Sequence, residues 1–305
     1  MKYEIDYILL LILFIAYMRR VFSILVISIS LSHPFGFGNT AVSELNYKVS
    51  STYGNYNGTE SYFIDGSAAV PLGESYGIQI DSSYQKTDSH EFKGLGGQFF
   101  WRDYKKGLLG INGGIIHDDA LKSYGASCLG EYYLKNLTFG STAGWNQIRY
   151  KKPVSFESSS QSGFLGGLYC IYYPIDDLSF TLTAQTKHDI KSIQYDLEYA
   201  LPANGVSVFA SVQNAEEDYE HAYLGLRYYF GSSSSKKTLK ERHRWDDPIN
   251  ILQGILNGVF HRGVQRNRKG KETYGDDWQQ SLGCETAIIG GDFPLVVGPE
   301  DSLGN

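Results

Sequence analysis

From residue 44 to residue 230 the chain alternates apolar and polar positions with a period of two. The pattern is clearest near its end. Leu178, Phe180, Leu182 and Ala184 share one face, opposite Ser179, Thr181, Thr183 and Gln185. Ile193, Tyr195, Leu197, Tyr199 and Leu201 alternate with Gln194, Asp196 and Glu198. Val206, Val208, Ala210 and Val212 follow, and Ala222, Leu224, Leu226, Tyr228 and Phe230 close the series with Arg227 opposite. Successive side chains of a strand point to opposite faces, so each run predicts a strand with one apolar and one polar face.

Upstream, the same alternation sets Leu45, Tyr47 and Val49 against Lys48. It sets Tyr62, Ile64, Ala68 and Val70 against Asp65, and Tyr76, Ile78, Ile80 and Tyr84 against Gln79 and Asp81. Leu95, Phe99 and Trp101 oppose Gln98 and Arg102; Leu109, Ile111 and Ile115 oppose Asn112; Tyr124, Ala126, Cys128 and Tyr132 oppose Glu131. Leu137, Phe139, Ala143 and Trp145 form another run, while residues 163–176 are apolar on both faces and leave their facing open. The total is 12 candidate strands. The links PLGES, DYKK, KN, PIDD and PANG are short, and the intervening ones read as longer and more polar, with a turn signal at Asn57-Gly58. A nearly pure meander with an even strand number and short turns on one side fits an all-β, 12-stranded antiparallel up-and-down transmembrane β-barrel. The rival is a soluble sandwich, which needs two buried inner faces and Greek-key links. Closure also removes exposed edges and pairs every backbone group, as lipid requires. Glycines inside the strands are costly in an ordinary sheet and tolerable in a strongly coiled barrel.

Two apolar runs, residues 8–18 and 21–32, flank Arg19 and Arg20. From Met18 onward the layout is that of a secretory signal peptide, so residues 1–37 read as a signal region with Met18 as a candidate true start. The plainer alternative is a membrane anchor, although neither run alone reaches the roughly 18–20 apolar residues of a spanning helix. The net charge of -6 gives no sign of nucleic-acid binding. Cys128, Cys170 and Cys284 make neither a metal pattern nor a disulfide frame.

The last strand, LGLRYYF, resembles the terminal strand of bacterial outer-membrane β-barrels, with Gly225, Tyr228 and Phe230 in the places of the glycine, the aromatic and the terminal aromatic. The resemblance implies a porin-like protein of the bacterial outer membrane. Its partners would be outer-membrane lipid, small hydrophilic solutes and the barrel-assembly machinery, which would read those three residues. Simple porins end at that aromatic, whereas 75 residues follow Phe230 here. Residues 231–305 read as a polar, partly disordered periplasmic tail. Within it the basic run 236–244 is a solvated linker or, more sharply, a contact with anionic headgroups or peptidoglycan. Residues 249–260 read as one short helix, since Ile251, Ile255, Leu256 and Val259 recur near helical spacing and Pro248 suits its first turn. Such a helix is loosely ordered, a docking element or a gating plug.

With the apolar face in lipid, the predicted lumen-lining set is Lys48, Asp65, Gln79, Asp81, Gln98, Arg102, Asn112, Glu131, Asn146, Asp196, Glu198 and Arg227, joined by Thr181 and Gln185. Aromatics near strand ends, among them Tyr62, Tyr76, Tyr84, Trp101, Tyr132, Trp145, Tyr172, Tyr199 and Tyr228, are candidate interface girdles. No catalytic residue, metal site or cofactor is expected. A hydrolase built on His117 or His188 would need a serine within reach, and His117-Asp118-Asp119 is a weak metal signal. The leading reading is passive passage of small hydrophilic solutes. A densely cross-paired lumen would favour a closed barrel serving as a structural or binding scaffold.

Overall fold

The computed structural model describes residues 40–56, 59–87, 90–151, 159–202, 205–216, 220–230, 237–247, 250, 252–257, 259, 285–288 and 294–297. The signal region, the Asn57-Gly58 turn, Ile251 and Pro248 lie outside the described residues.

Twelve strands form one closed antiparallel barrel: β1 (Asn46–Tyr56), β2 (Thr59–Leu72), β3 (Tyr76–Thr87), β4 (His90–Asp103), β5 (Gly107–His117), β6 (Leu121–Tyr133), β7 (Leu137–Tyr150), β8 (Ser160–Ile175), β9 (Leu178–Lys187), β10 (Ile190–Ala200), β11 (Val206–Ala215) and β12 (Glu220–Phe230). Each strand pairs with its sequence neighbours, and β1 closes on β12 with Tyr47 opposite Phe230. The start of β1 and the end of β12 therefore share one rim, the terminal mouth. The opposite rim is the far mouth.

The barrel is apolar outside and polar inside. Leu109, Leu168 and Leu224 are 63%, 68% and 67% exposed, while Gln79, Asp81, Gln98 and Arg102 are buried. That inversion excludes the soluble sandwich, because a water-facing surface would not carry a continuous apolar belt. A closed sheet leaves no backbone group unpaired toward lipid, and this architecture is that of the outer membrane. Exposed Tyr76, Tyr132, Tyr172, Tyr199 and Tyr228 ring the terminal side, with Tyr124 and Trp145 toward the far side. β8, ambiguous in sequence, also alternates. Phe164, Leu168 and Tyr172 face out, whereas Leu165, Tyr169 and Tyr173 fill the interior.

One expectation is corrected by the strand ends. The connections at the far mouth comprise residues 57–58, 88–89, 118–120, 151–159, 188–189 and 216–219, so only one is long. The polar segments NYNGTE, KTDSHEF and HDIKS are mostly strand. β2 and β4 have 14 residues and β8 has 16, beyond the roughly 9–11 that cross a bilayer, so their polar ends keep pairing outside the apolar belt. At 188–189 the link is a two-residue turn with positive φ at both His188 (50°) and Asp189 (67°), the signature of a tight primed hairpin turn.

Among the described residues between the barrel and residue 260 lie α1 (Leu239–Trp245) and a helical segment, α2, at residues 252–257 and 259. A small antiparallel pair, β13 (Glu285–Ile288) and β14 (Pro294–Val297), lies in the stretch that read from sequence as polar tail.

Candidate functional site

The site is the lumen, and the chain itself occupies much of it. At the terminal mouth, Ala41 and Val42 turn inward and pack with Ala69, Phe100, Leu108, Leu129 and Tyr133. α1 lies across the same opening. Thr238 caps it, its hydroxyl accepting from the Glu241 amide while the Glu241 carboxylate accepts from the Thr238 amide. The Leu239 amide donates to Asp177 at 3.1 Å and the Lys240 amide to the Asp176 carbonyl at 2.9 Å. Arg244 donates to the Leu134 and Leu137 carbonyls, both at 2.7 Å, and Trp245 donates to the Thr40 carbonyl at 2.8 Å. Arg242 is buried over the Tyr229 ring. The basic run read from sequence as a solvated linker is thus engaged by the barrel's own turns. Its spacing on a helix brings Lys240 and Arg244 to the β8–β9 and β6–β7 turns.

From α1 the chain climbs through the lumen. Asp247 pairs with Lys48, and Asp246 with Lys237 and Ser43. The Asn250 side chain accepts from the Leu252 amide at 2.8 Å, capping the start of α2. Leu252, Ile255, Leu256 and Val259 are buried, at the i, i+3, i+4, i+7 spacing of one helix face. They meet inward-facing Tyr56, Phe63, Phe92, Ile116, Leu121, Ile148, Tyr150, Ile190 and Tyr223, all near the far mouth. Leu252, absent from the expected set, stands on that face. Asn257 holds the polar side, donating to Gln213 and accepting from Tyr56, both at 3.3 Å. Asn146 donates to the Ile255 carbonyl at 3.4 Å.

Two strand glycines explain how a helix fits. A Cβ on Gly125 would sit 2.6 Å from Ile255 Cγ1, and one on Gly114 would sit 2.9 Å from Leu252 Cδ2. These positions, read from sequence as bends in a coiled sheet, give the helix its room.

Beside α2 remains a lumen cavity of about 330 Å³, walled mostly by β8–β12 and reaching β1, β2 and β5–β7. Lys48, Asp65, Asn112, Glu131, Asp196, Glu198 and Arg227 line it, with Thr181, Gln185, Lys187, His243 and Asp247. Gln79, Asp81, Gln98, Arg102 and Asn146 are buried outside that cavity. Asp81 accepts from Gln79 at 2.8 Å and Gln98 at 3.3 Å, and Arg102 donates to the Ala41 carbonyl at 3.4 Å. The cavity walls are cross-linked by charge. Glu198 accepts from Arg227 and Ser207, with the His243 Nε2 3.4 Å away. Glu131 accepts from Tyr133 and Tyr169, both at 2.7 Å. Gln194 donates to Asp196 at 2.8 Å.

Gly225, Tyr228 and Phe230 sit on the closing strand. Gly225 is buried beside Thr52 and Phe209, and Tyr228 meets Phe230 edge-on at 4.3 Å on the outer surface near the terminal rim. His117 is exposed, and His188 is consumed by the tight turn. Asp118 pairs instead with His90, Nδ1 to Oδ2 at 2.7 Å, a pairing no sequence spacing revealed. Among the described residues no cluster of three or more His, Cys, Asp or Glu is placed to hold a metal.

The chain is a 12-stranded β-barrel resembling outer-membrane porins. The KdgM porin aligns at 10% identity and a TM-score of 0.48, covering 60% of this chain and 99% of that one. The NanC porin aligns at 11% identity and a TM-score of 0.47, covering 59% and 98%. An outer-membrane channel from Pseudomonas putida F1 aligns at 10% identity and a TM-score of 0.43, covering 65% and 100%. No family model and no curated protein matches the sequence. At such identities the likeness is one of barrel architecture alone.

Proposed function

We propose that this protein is an outer-membrane channel for small hydrophilic solutes that is held closed by its own C-terminal segment. The observation that carries the reading is α2, seated on the far-mouth ring beside a cavity lined by polar side chains of the barrel wall. Solutes would follow that polar wall once α2 withdraws, and lipid would surround the apolar belt. Gly225, Tyr228 and Phe230, at the closing seam, are our candidates for the segment read by the barrel-assembly machinery. The test is conductance in a planar bilayer. The full chain should open rarely, and Leu256→Asp, which places a charge in the apolar seal, should open often. Silence from both proteins would refute the channel.

A second reading is a closed scaffold, and the cross-paired walls favour it: Lys48 with Asp247, Arg227 with Glu198, and Glu131 between two tyrosine hydroxyls. It requires that Leu256→Asp leave the barrel folded and silent.

A further inference from the structure

The far end of the cavity holds a buried lysine with no carboxylate beside it. Lys187 is the last residue of β9, is only 6% exposed, and lines the cavity. The other two basic side chains of the barrel wall here are matched, Lys48 by Asp247 and Arg227 by Glu198. The Lys187 side chain makes no hydrogen bond or ion pair with any described residue. The cavity's carboxylates do not serve it. Asp196 lies opposite Thr181, six residues down β9, roughly 20 Å at the usual rise per residue. Glu131 is occupied by Tyr133 and Tyr169. A buried ammonium without a counter-charge is unfavourable: the group either gives up its proton or is stabilised as a cation by an anion that enters to pair with it.

A second donor stands close by. Gln185 pairs with Ser192 across the β9–β10 ladder, one inward position from Lys187. The Ser192 hydroxyl is buried and has no partner among the described residues. A lysine head group facing the cavity, with a buried unpartnered hydroxyl on the neighbouring strand, forms a site for an oxygen anion. We propose that this end of the cavity binds a small oxyanion, the carboxylate or phosphate group of a hydrophilic solute. The site names a solute class for the channel reading and rests on it for its physiological meaning, while the binding itself does not require conduction.

The experiment is calorimetric titration of the full chain, folded in detergent, with inorganic phosphate and with acetate, in a buffer free of other oxyanions. Wild type should bind at least one of the two saturably. Lys187→Gln should weaken that binding about tenfold or more, as expected when a charge-assisted hydrogen bond is lost. Lys191→Gln, an exposed neighbour on β10, should bind as wild type does. Absence of saturable binding, or equal affinity in Lys187→Gln, overturns the site. Heat-modifiable migration of each variant shows that its barrel is folded. Saturable binding by a barrel that never conducts would refute the channel and retain the site.

Discussion

Gly125→Val is the sharpest probe of the plugged lumen. A Cβ at this position would meet Ile255 Cγ1 at 2.6 Å and Cδ1 at 2.9 Å, whereas the next atom, the Trp145 carbonyl oxygen, lies at 3.6 Å. The collision is therefore with the tail and not with the sheet, and valine suits a strand. Overpacking of this kind costs roughly 1–3 kcal/mol. The tail has little margin to absorb it. Burying Leu252, Ile255, Leu256 and Val259 contributes about 1.5–3 kcal/mol each, roughly 6–12 in all. Ordering the seven described residues of α2 costs about 1–2 kcal/mol each, roughly 7–14 in all. The two terms nearly cancel, so a few kcal/mol decide whether α2 is seated. The substitution should raise the unseated fraction about five- to hundredfold. Hydrogen exchange read by mass spectrometry over residues 252–257 measures that fraction directly, and open probability in a bilayer should rise with it. A folded Gly125→Val barrel with unchanged exchange would refute the seating of α2 against β6.

Three further outcomes follow from the same geometry. Leu224→Arg, at a 67% exposed position midway along β12, should destabilise the barrel in liposomes by about 2–4 kcal/mol; urea unfolding with no change would remove that face from lipid. Lys48→Met strands the Asp247 carboxylate in the interior, which should cost about 3–5 kcal/mol. Thermal unfolding in detergent should show that loss, and the double variant Lys48→Met/Asp247→Leu should recover most of it. Thr238→Ala removes the side-chain half of the α1 capping box and should cost about 0.5–2 kcal/mol of helix stability; faster exchange confined to the first turn of α1 would mark it, and no change would mean that the barrel turns alone hold the helix.

The sequence by itself determined the barrel. Side-chain direction in a strand has a period of two, so the alternation of Leu224 and Leu226 with Gly225 and Arg227 states both the element and its facing. A chain that repeats this over 12 strands, with neighbours joined by hairpins, has few ways to satisfy its edges other than closure. The inward side of Lys48, Asp65, Glu198 and the rest follows from parity alone. Parity also places Lys187 inward beside Gln185, but no local pattern shows that it lacks a partner.

Tertiary structure alone decided what fills the barrel. Leu252, Ile255, Leu256 and Val259 announce an amphipathic helix, yet the surface that accepts them is drawn from nine residues on eight different strands. Gly114 and Gly125 read as bends until Leu252 and Ile255 are set against them. Asp118 finds His90 only because two strands bring residues 28 positions apart to one rim. Periodicity is a local property of the chain, whereas a counter-charge or a cavity belongs to whichever distant residues the closed sheet brings together.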